Sequence, residues 1–241
     1  MNTKILIMSL ISGLSTVFGC FIMMISKKYK NKVLSFSFGL SFIVMFLISI
    51  LELIPEGIGY GYNYFSVPIL FVLSFVLLIA GGGVVCLLDK FNKSDNDLYN
   101  VGWLCMLSVL IHNIPEGIIT AITLISDFDF GIKMFLIIMI HNIPEGISIA
   151  APIYYSGYGK LKSLLYSSVS GGGEVVGAIL GMMICKLLNL ELMLYILLII
   201  VAGIMIYLSC RKLFFEGLKC NNDNWFIYGF IFGILIVILT I

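Results

Sequence analysis

The chain alternates between long apolar stretches and short polar connections. Each stretch is about 20 residues long, the length of helix that crosses ~30 Å of hydrocarbon. Because the apolar runs are continuous rather than alternating, they predict helices and argue against a β-barrel. We therefore predict an all-α membrane protein. Its eight apolar segments lie at 5–26, 33–56, 67–88, 101–124, 132–155, 164–187, 191–210 and 224–241.

Composition agrees with a bilayer as the solvent. Hydrophobic residues make up 61% of the 241 residues and charged residues only 11%, whereas soluble domains have roughly half and a quarter. The connections are too short to hold a soluble domain. We expect residues 1–241 to form a single transmembrane domain that contacts lipid, with no nucleic-acid partner.

Basic residues fall mainly in one set of alternate connections. Positively charged flanks stay on the cytoplasmic side of a membrane. The pattern therefore predicts a multi-pass protein of the cytoplasmic membrane with both termini outside. Of the 14 basic residues, three lie on the other side, Lys4, Lys133 and Lys186, and eleven form the cytoplasmic set: Lys27, Lys28, Lys30, Lys32, Lys90, Lys93, Lys160, Lys162, Arg211, Lys212 and Lys219.

Two apolar segments contain the same motif, IHNIPEGI, at 111–118 and at 140–147. Each copy places a histidine four residues before a glutamate, so both side chains project from one helix face with ~6 Å of axial separation. An altered copy, LELIPEGI, lies at 51–58 and has Glu52 in the place of the histidine. The motifs account for both histidines of the chain.

Ionisable residues in the middle of these segments indicate a binding site. Each costs on the order of 3 kcal/mol even on the lenient insertion scale, and such residues usually mark a ligand site or pathway. No lysine or arginine occurs at a comparable depth, so either the carboxyl groups are protonated or a cation lies among them; the ligand spacing favours the cation. The candidate ligands are His112, Asn113, Glu116, His141, Asn142, Glu145, Glu174 and Glu52.

The prolines within the motifs add free backbone carbonyls. Pro115 and Pro144 cannot donate a hydrogen bond, which frees the carbonyls of Ile111 and Ile140 beside the histidines. Such backbone is tolerated in a membrane where it lines a cavity. Because consecutive helices with a short connection run antiparallel, the two motifs should face each other about a two-fold axis in the membrane plane, as in many transporters.

A chain with eight segments and HNxPEG in both the fourth and the fifth resembles the ZIP (Zrt/Irt-like protein) family of divalent-metal transporters. The near-identical motifs, with IAAP after the second, are similar to its bacterial GufA-like branch. The resemblance covers essentially the whole chain. It implies eight transmembrane helices in a 3+2+3 arrangement with an internal inverted repeat, a homodimer, and a site, often binuclear, formed by the eight candidate ligands between helices 2, 4, 5 and 6.

The sequence departs from the family pattern in two places. Many relatives have a histidine-rich connection between helices 3 and 4, but DKFNKSDNDLYN contains no histidine. A similar bacterial pattern has acidic residues near a proline after helix 7, where this chain reads SCRKLFFEG with Lys212 at the matching place. These differences argue against metal sensing by the connection and against a second, intracellular metal site.

We therefore expect uptake of a divalent transition metal into the cytosol by alternating access, with the elevator-like movement that the resemblance implies. Imidazole, carboxylate and amide ligands suit zinc first, and also iron(II), manganese, cobalt and cadmium. The metal is cargo, and no cofactor is expected.

Two other functions stay open at this point. One is an intramembrane metal-dependent hydrolase, and the other is a carrier of protons or monovalent cations that uses the glutamates alone. HNIPE differs from the HExxH of metalloproteases, and a near-symmetric duplication fits translocation better than one-sided chemistry. We therefore predict a transporter and not an enzyme.

Overall fold

The computed structural model describes residues 2–23, 29–91, 94–184 and 190–240. All regular secondary structure among these residues is helical. Three predicted segment boundaries lie outside the described residues, at positions 26, 187 and 241. Four of the basic residues also lie outside them: Lys27, Lys28, Lys93 and Lys186. In chain order the helices are α1 (Asn2–Met23), α2 (Lys30–Ile48 continuing into Ile54–Gly61), α3 (Val67–Phe91), α4 (Asp97–Ser126), α5 (Phe128–Ile153), α6 (Gly159–Ile184), α7 (Leu190–Leu208 continuing into Phe214–Lys219) and α8 (Asp223–Thr240).

Six helical stretches of the described chain are long and apolar enough to cross a membrane. One of them, Phe128–Ile184, contains both α5 and α6, and Asp223–Leu239 in α8 is a shorter apolar helix. The outer surface is also apolar, since large side chains such as Val72 and Phe75 of α3 are each 66% exposed. The prediction of an all-α, multi-pass membrane protein is confirmed.

Two helices are interrupted by a π-helical turn at matching points of their sequences. The turns are Ser49–Leu53 in α2 and Ser209–Leu213 in α7. They begin the related stretches SILELIPEG and SCRKLFFEG, in which Glu52 corresponds to Lys212. Turns of this kind occur frequently at functional sites.

The connection between α5 and α6 is a third π-helical turn, Tyr154–Tyr158. Gly157 within it has a φ of 103° and Gly159 after it a φ of 79°. Both values lie in the left-handed region that glycine adopts without a steric penalty. The backbone therefore leaves the helical path here and begins α6 as a separate helix.

Helices α1 and α6 approach closely through two glycines. A Cβ on Gly13 would lie 2.2 Å from the carbonyl oxygen of Gly171, and a Cβ on Gly171 would lie 2.1 Å from that of Gly13. Small residues allow such backbone contact between helices in a bilayer. The contact is reciprocal, because each glycine lies against the backbone of the other.

Packing divides the helices into two groups. The motif group consists of α1, α4, α5 and α6, with α1 packed on α5 and α6, and α4 on α5 and α6. The flanking group consists of α2, α3, α7 and α8, with α2 packed on α8 and α7, and α3 on α7. Contacts between the two groups are fewer, chiefly α2 with α5 and α7 with α4.

The Gly13–Gly171 contact predicts a sharp difference between neighbouring glycines. Gly171→Ala should lower the free energy of unfolding by roughly 1–3 kcal/mol, because the added methyl group overpacks a backbone contact. Gly172→Ala is the matched control, since a Cβ there meets nothing within 4 Å. Thermal unfolding of the two variants in the same detergent measures the difference, and equal melting temperatures would contradict the packing described.

Candidate metal centre

The two motif copies meet in the middle of the motif group. His112 Nε2 in α4 lies 2.9 Å from Glu145 Oε1 in α5, and His141 Nε2 in α5 lies 2.8 Å from Glu116 Oε1 in α4. All four side chains are buried. Each histidine thus contacts the glutamate of the other motif, which is the crossed pattern that a two-fold axis between the helices produces.

Glu116 connects both histidines. Its Oε1 atom is also 3.1 Å from His112 Nε2, so the side chains follow one another in the order Glu145, His112, Glu116, His141. Ligand atoms of His112, His141 and Glu145 lie within 4.8 Å of one another. These groups need only small movements to close on one ion.

A second polar cluster lies beside the first and includes Glu174 of α6. Its Oε1 atom accepts hydrogen bonds from Ser12 Oγ of α1, at 3.0 Å, and from Asn142 Nδ2 of α5. The Glu174 carboxylate is fully buried and lies near Glu116 and His141. The two clusters therefore form one continuous polar region.

The asparagines bind the neighbouring helices in equivalent ways. Asn113 Nδ2 of α4 donates to the carbonyl oxygen of Ser170 in α6 at 3.1 Å. Asn142 Nδ2 of α5 donates to the carbonyl oxygen of Ser12 in α1 at 3.2 Å. Both amides leave their side-chain oxygens without a hydrogen-bond partner, so those oxygens are free to act as ligands.

Glycines of the motifs show the same equivalence. A Cβ on Gly117 of α4 would lie 2.1 Å from the carbonyl oxygen of Glu174, and a Cβ on Gly146 of α5 would lie 1.8 Å from that of Thr16. α4 therefore lies on α6 as α5 lies on α1. In this correspondence Thr16 takes the position of Glu174.

Glu52 reaches the site from the flanking group. Its side chain is half-buried, and its carboxylate lies near His141, Glu116 and His112. The other seven predicted ligands lie on helices of the motif group. Glu52 thus brings a carboxylate from one helix group to a site built on the other.

Every predicted ligand has a buried polar atom that makes no hydrogen bond. Buried polar atoms in proteins are nearly always hydrogen-bonded, and none of the buried residues in the described chain is a lysine or arginine. Imidazole nitrogens with carboxylate and amide oxygens are a donor set for zinc and harder divalent ions. The unpaired atoms are Glu52 Oε2, His112 Nδ1, Asn113 Oδ1, Glu116 Oε2, His141 Nδ1, Asn142 Oδ1, Glu145 Oε2 and Glu174 Oε2.

Sequence reasoning missed the contribution of α1. Ser12 holds Glu174, and Ser9, Ser12 and Thr16 are all buried at a spacing of three or four residues. This spacing places them on one helix face. A matching stripe precedes Glu174 in α6, at Ser163, Ser167 and Ser170. Polar stripes on otherwise apolar helices were the available indication that both helices face the site.

Comparison with known proteins agrees with this geometry. Residues 92–239 match the family model for the ZIP zinc transporter. The chain is 32% identical over 244 residues to the zinc transporter ZupT of Salmonella heidelberg strain SL476, which covers 98% of this chain and 95% of the relative. The chain belongs to the ZIP family. ZupT of Escherichia fergusonii is 30% identical to this ZIP protein over the same shares.

Family membership decides between the functional classes. The predicted resemblance to ZIP proteins is confirmed, and with it the prediction of a divalent-metal transporter that is not an enzyme. The intramembrane hydrolase is therefore set aside. Assignment to the GufA-like branch stays a prediction.

The unequal contacts of the two motif glutamates predict unequal effects on zinc binding. Glu116→Gln should weaken binding more than Glu145→Gln, because Glu116 Oε1 contacts both histidines and Glu145 Oε1 contacts one. Competition with a zinc chelator measures both affinities in detergent. Glu191→Gln, which changes an exposed carboxylate bonded to Asn63, serves as the control. Equal losses in the two motif variants would contradict a central position for Glu116.

Proposed function

We propose that this ZIP protein carries zinc across the cytoplasmic membrane into the cytosol, and accepts iron(II), manganese, cobalt and cadmium at the same site. The observation that carries the proposal is the crossed pairing of two histidines with two glutamates, in a buried region where all eight predicted ligands have an unpaired atom. A divalent cation bound in this region would take unpaired atoms as ligands and balance part of the carboxylate charge.

The choice of zinc follows from the ligand types. Site residues offer nitrogen and oxygen but no thiolate, which disfavours copper(I). Among the proposed cargo ions, intrinsic affinity at such sites is generally higher for zinc than for manganese or iron(II). The two ZupT relatives are both named as zinc transporters.

A binuclear site is consistent with the two polar clusters. One ion would take His112, Glu116, His141 and Glu145, and a second would take Glu174 with the asparagine oxygens. Glu116 lies between the clusters because it contacts both histidines and interacts with Glu174. Its two carboxylate oxygens suit it to bridge two ions.

The arrangement we propose is 3+2+3, with α1–α3 and α6–α8 as inverted repeats on either side of α4 and α5. Three correspondences support it: the reciprocal Gly13–Gly171 contact, the equivalent asparagine bonds, and the π-helical turns shared by α2 and α7. All of residues 1–241 then belong to one transporter domain.

An elevator-like movement would displace the motif group against the flanking group. Contacts between glycine and backbone hold each group together. In the motif group Gly13 contacts Gly171. In the flanking group a Cβ on Gly81 would lie 2.0 Å from the carbonyl oxygen of Ile200. Between the groups the described hydrogen bond is Ser41 Oγ of α2 to the carbonyl oxygen of Pro144, at 2.8 Å. Two groups that are each closely packed, and that are joined mainly by apolar contacts, are suited to sliding.

Orientation and assembly complete the proposal. The distribution of lysines and arginines favours both termini outside, so that ions enter at the side where α2 ends and leave at the lysine-rich side. The family resemblance implies a homodimer.

A carrier of protons or monovalent cations would use the glutamates without the histidines, whereas here each histidine contacts a glutamate within 3 Å.

Uptake into proteoliposomes tests the transport proposal. Zinc, iron(II), manganese and cadmium should accumulate with the wild type. His112→Ala and Glu145→Ala should reduce zinc uptake by roughly tenfold to a hundredfold, because each leaves a buried partner unpaired and removes a ligand. Glu191→Gln should transport normally. Substitution of both histidines by glutamine with retained ion flux would instead support the monovalent carrier.

A further inference from the structure

The two-fold correspondence of the site is broken in charge at two places. His112, Asn113 and Glu116 correspond to His141, Asn142 and Glu145 with identical residue types. Glu174, however, corresponds to Thr16, and Glu52 corresponds to Lys212. The second difference replaces a negative charge by a positive one, so the two ends of the transport path differ electrostatically.

Lys212 lies toward the opposite end of the molecule from Glu52. Asn63, at the end of α2, donates to Glu191 at the start of α7 at 3.1 Å, so the two helices run antiparallel. Glu52 lies 11 residues from Asn63, and Lys212 lies 21 residues from Glu191. The difference of 10 residues, at about 1.5 Å per residue, separates Glu52 and Lys212 by about 15 Å along the helix axes. Lys212 is therefore on the lysine-rich, cytoplasmic side.

Neighbouring residues hold Lys212 beside the polar interior. Its Nζ atom lies 2.7 Å from Asp89 Oδ2 of α3, and its side chain is 24% exposed. Lys212 and Glu216 both lie near the buried Cys105 of α4. Cys105 precedes His112 by seven residues, or about two turns of α4. The ammonium group thus lies near α4, on the side of Cys105 and away from Glu52.

The geometry points to Lys212 as the residue that promotes release of the metal ion into the cytosol. This inference rests on the proposed function. Glu52, the one predicted ligand of the flanking group, attracts a divalent cation where it enters by its negative charge, and Lys212 repels the cation where it leaves by its positive charge. The Asp89 carboxylate moderates the repulsion by pairing with the ammonium group.

A fixed charge cannot change the final distribution of an ion across the membrane, since a carrier returns ions by the same route. It changes the affinity of the site when the site is open to that side. Lys212 should therefore raise the KM for zinc at the cytoplasmic face and leave the KM at the outer face unaltered. Repulsion between one unit charge and a divalent ion about 15 Å apart is strong enough for effects on the order of tenfold.

The test measures zinc uptake into inside-out and right-side-out membrane vesicles, which expose the cytoplasmic and the outer face respectively. Lys212→Gln should lower the KM at the cytoplasmic face by about tenfold, and Asp89→Asn should raise it, because the ammonium group then lacks its partner. The opposite signs distinguish an electrostatic role from a structural one, in which loss of either partner of the ion pair has the same effect.

Arg211→Gln is the matched control, since it removes one positive charge from the exposed neighbour in the same π-helical turn. It should leave both KM values unchanged. Normal zinc uptake by the wild type with an unchanged cytoplasmic KM in Lys212→Gln, or shifts of the same sign in Lys212→Gln and Asp89→Asn, would overturn the release role alone. Absence of zinc uptake by the wild type would overturn the proposed function and this inference together.

Discussion

Negative charge in an apolar interior is the constraint on which this structure depends. Four carboxylates of the site, those of Glu116, Glu145, Glu174 and Glu52, lie fully or half-buried in a bundle whose described residues include no buried lysine or arginine. An isolated ionised carboxylate in such surroundings is strongly unfavourable unless it is paired, neutralised or bound to a metal. The histidines supply part of the pairing, and the unpaired oxygens provide the attraction for a divalent cation.

Close helix packing is what makes the crossed pairs possible. The motif helices lie on α1 and α6 with glycine against backbone, so α4 and α5 have little freedom to separate or rotate. Their orientation keeps each histidine within hydrogen-bond distance of the opposite glutamate. Close packing within the motif group and few hydrogen bonds to the flanking group agree with the elevator-like movement proposed above, in which the ion travels with its ligands.

The sequence predicted the part of the site that depends on local spacing. His112 with Glu116, and His141 with Glu145, share helix faces by their separation of four residues, and their depth follows from the length of the apolar run. Ser12 was not predicted, because a serine in an apolar helix usually bonds to its own backbone. Which helix contacts Glu174 depends on tertiary packing, and no local pattern states it.

Helix limits show the same division between local and tertiary information. The apolar run predicted 101–124, whereas α4 extends over Asp97–Ser126 because Asn96 Oδ1 accepts a hydrogen bond from the backbone nitrogen of Tyr99 and caps the helix. Hydropathy locates the part of a helix that lies in lipid and is insensitive to such polar ends. The π-helical turns were not expected either, although the related stretches SILELIPEG and SCRKLFFEG were visible in the sequence.

The central claim is that the buried nitrogen and oxygen atoms of the two motifs bind a divalent metal ion. X-ray absorption at the zinc edge, on protein loaded with zinc in detergent, tests it most directly. We predict a first shell of nitrogen and oxygen at about 2.0–2.2 Å, with the outer-shell scattering of imidazole, which is lost in the variant with both His112 and His141 changed to glutamine. A shell that contains sulfur, or an unchanged spectrum in that variant, would contradict the account.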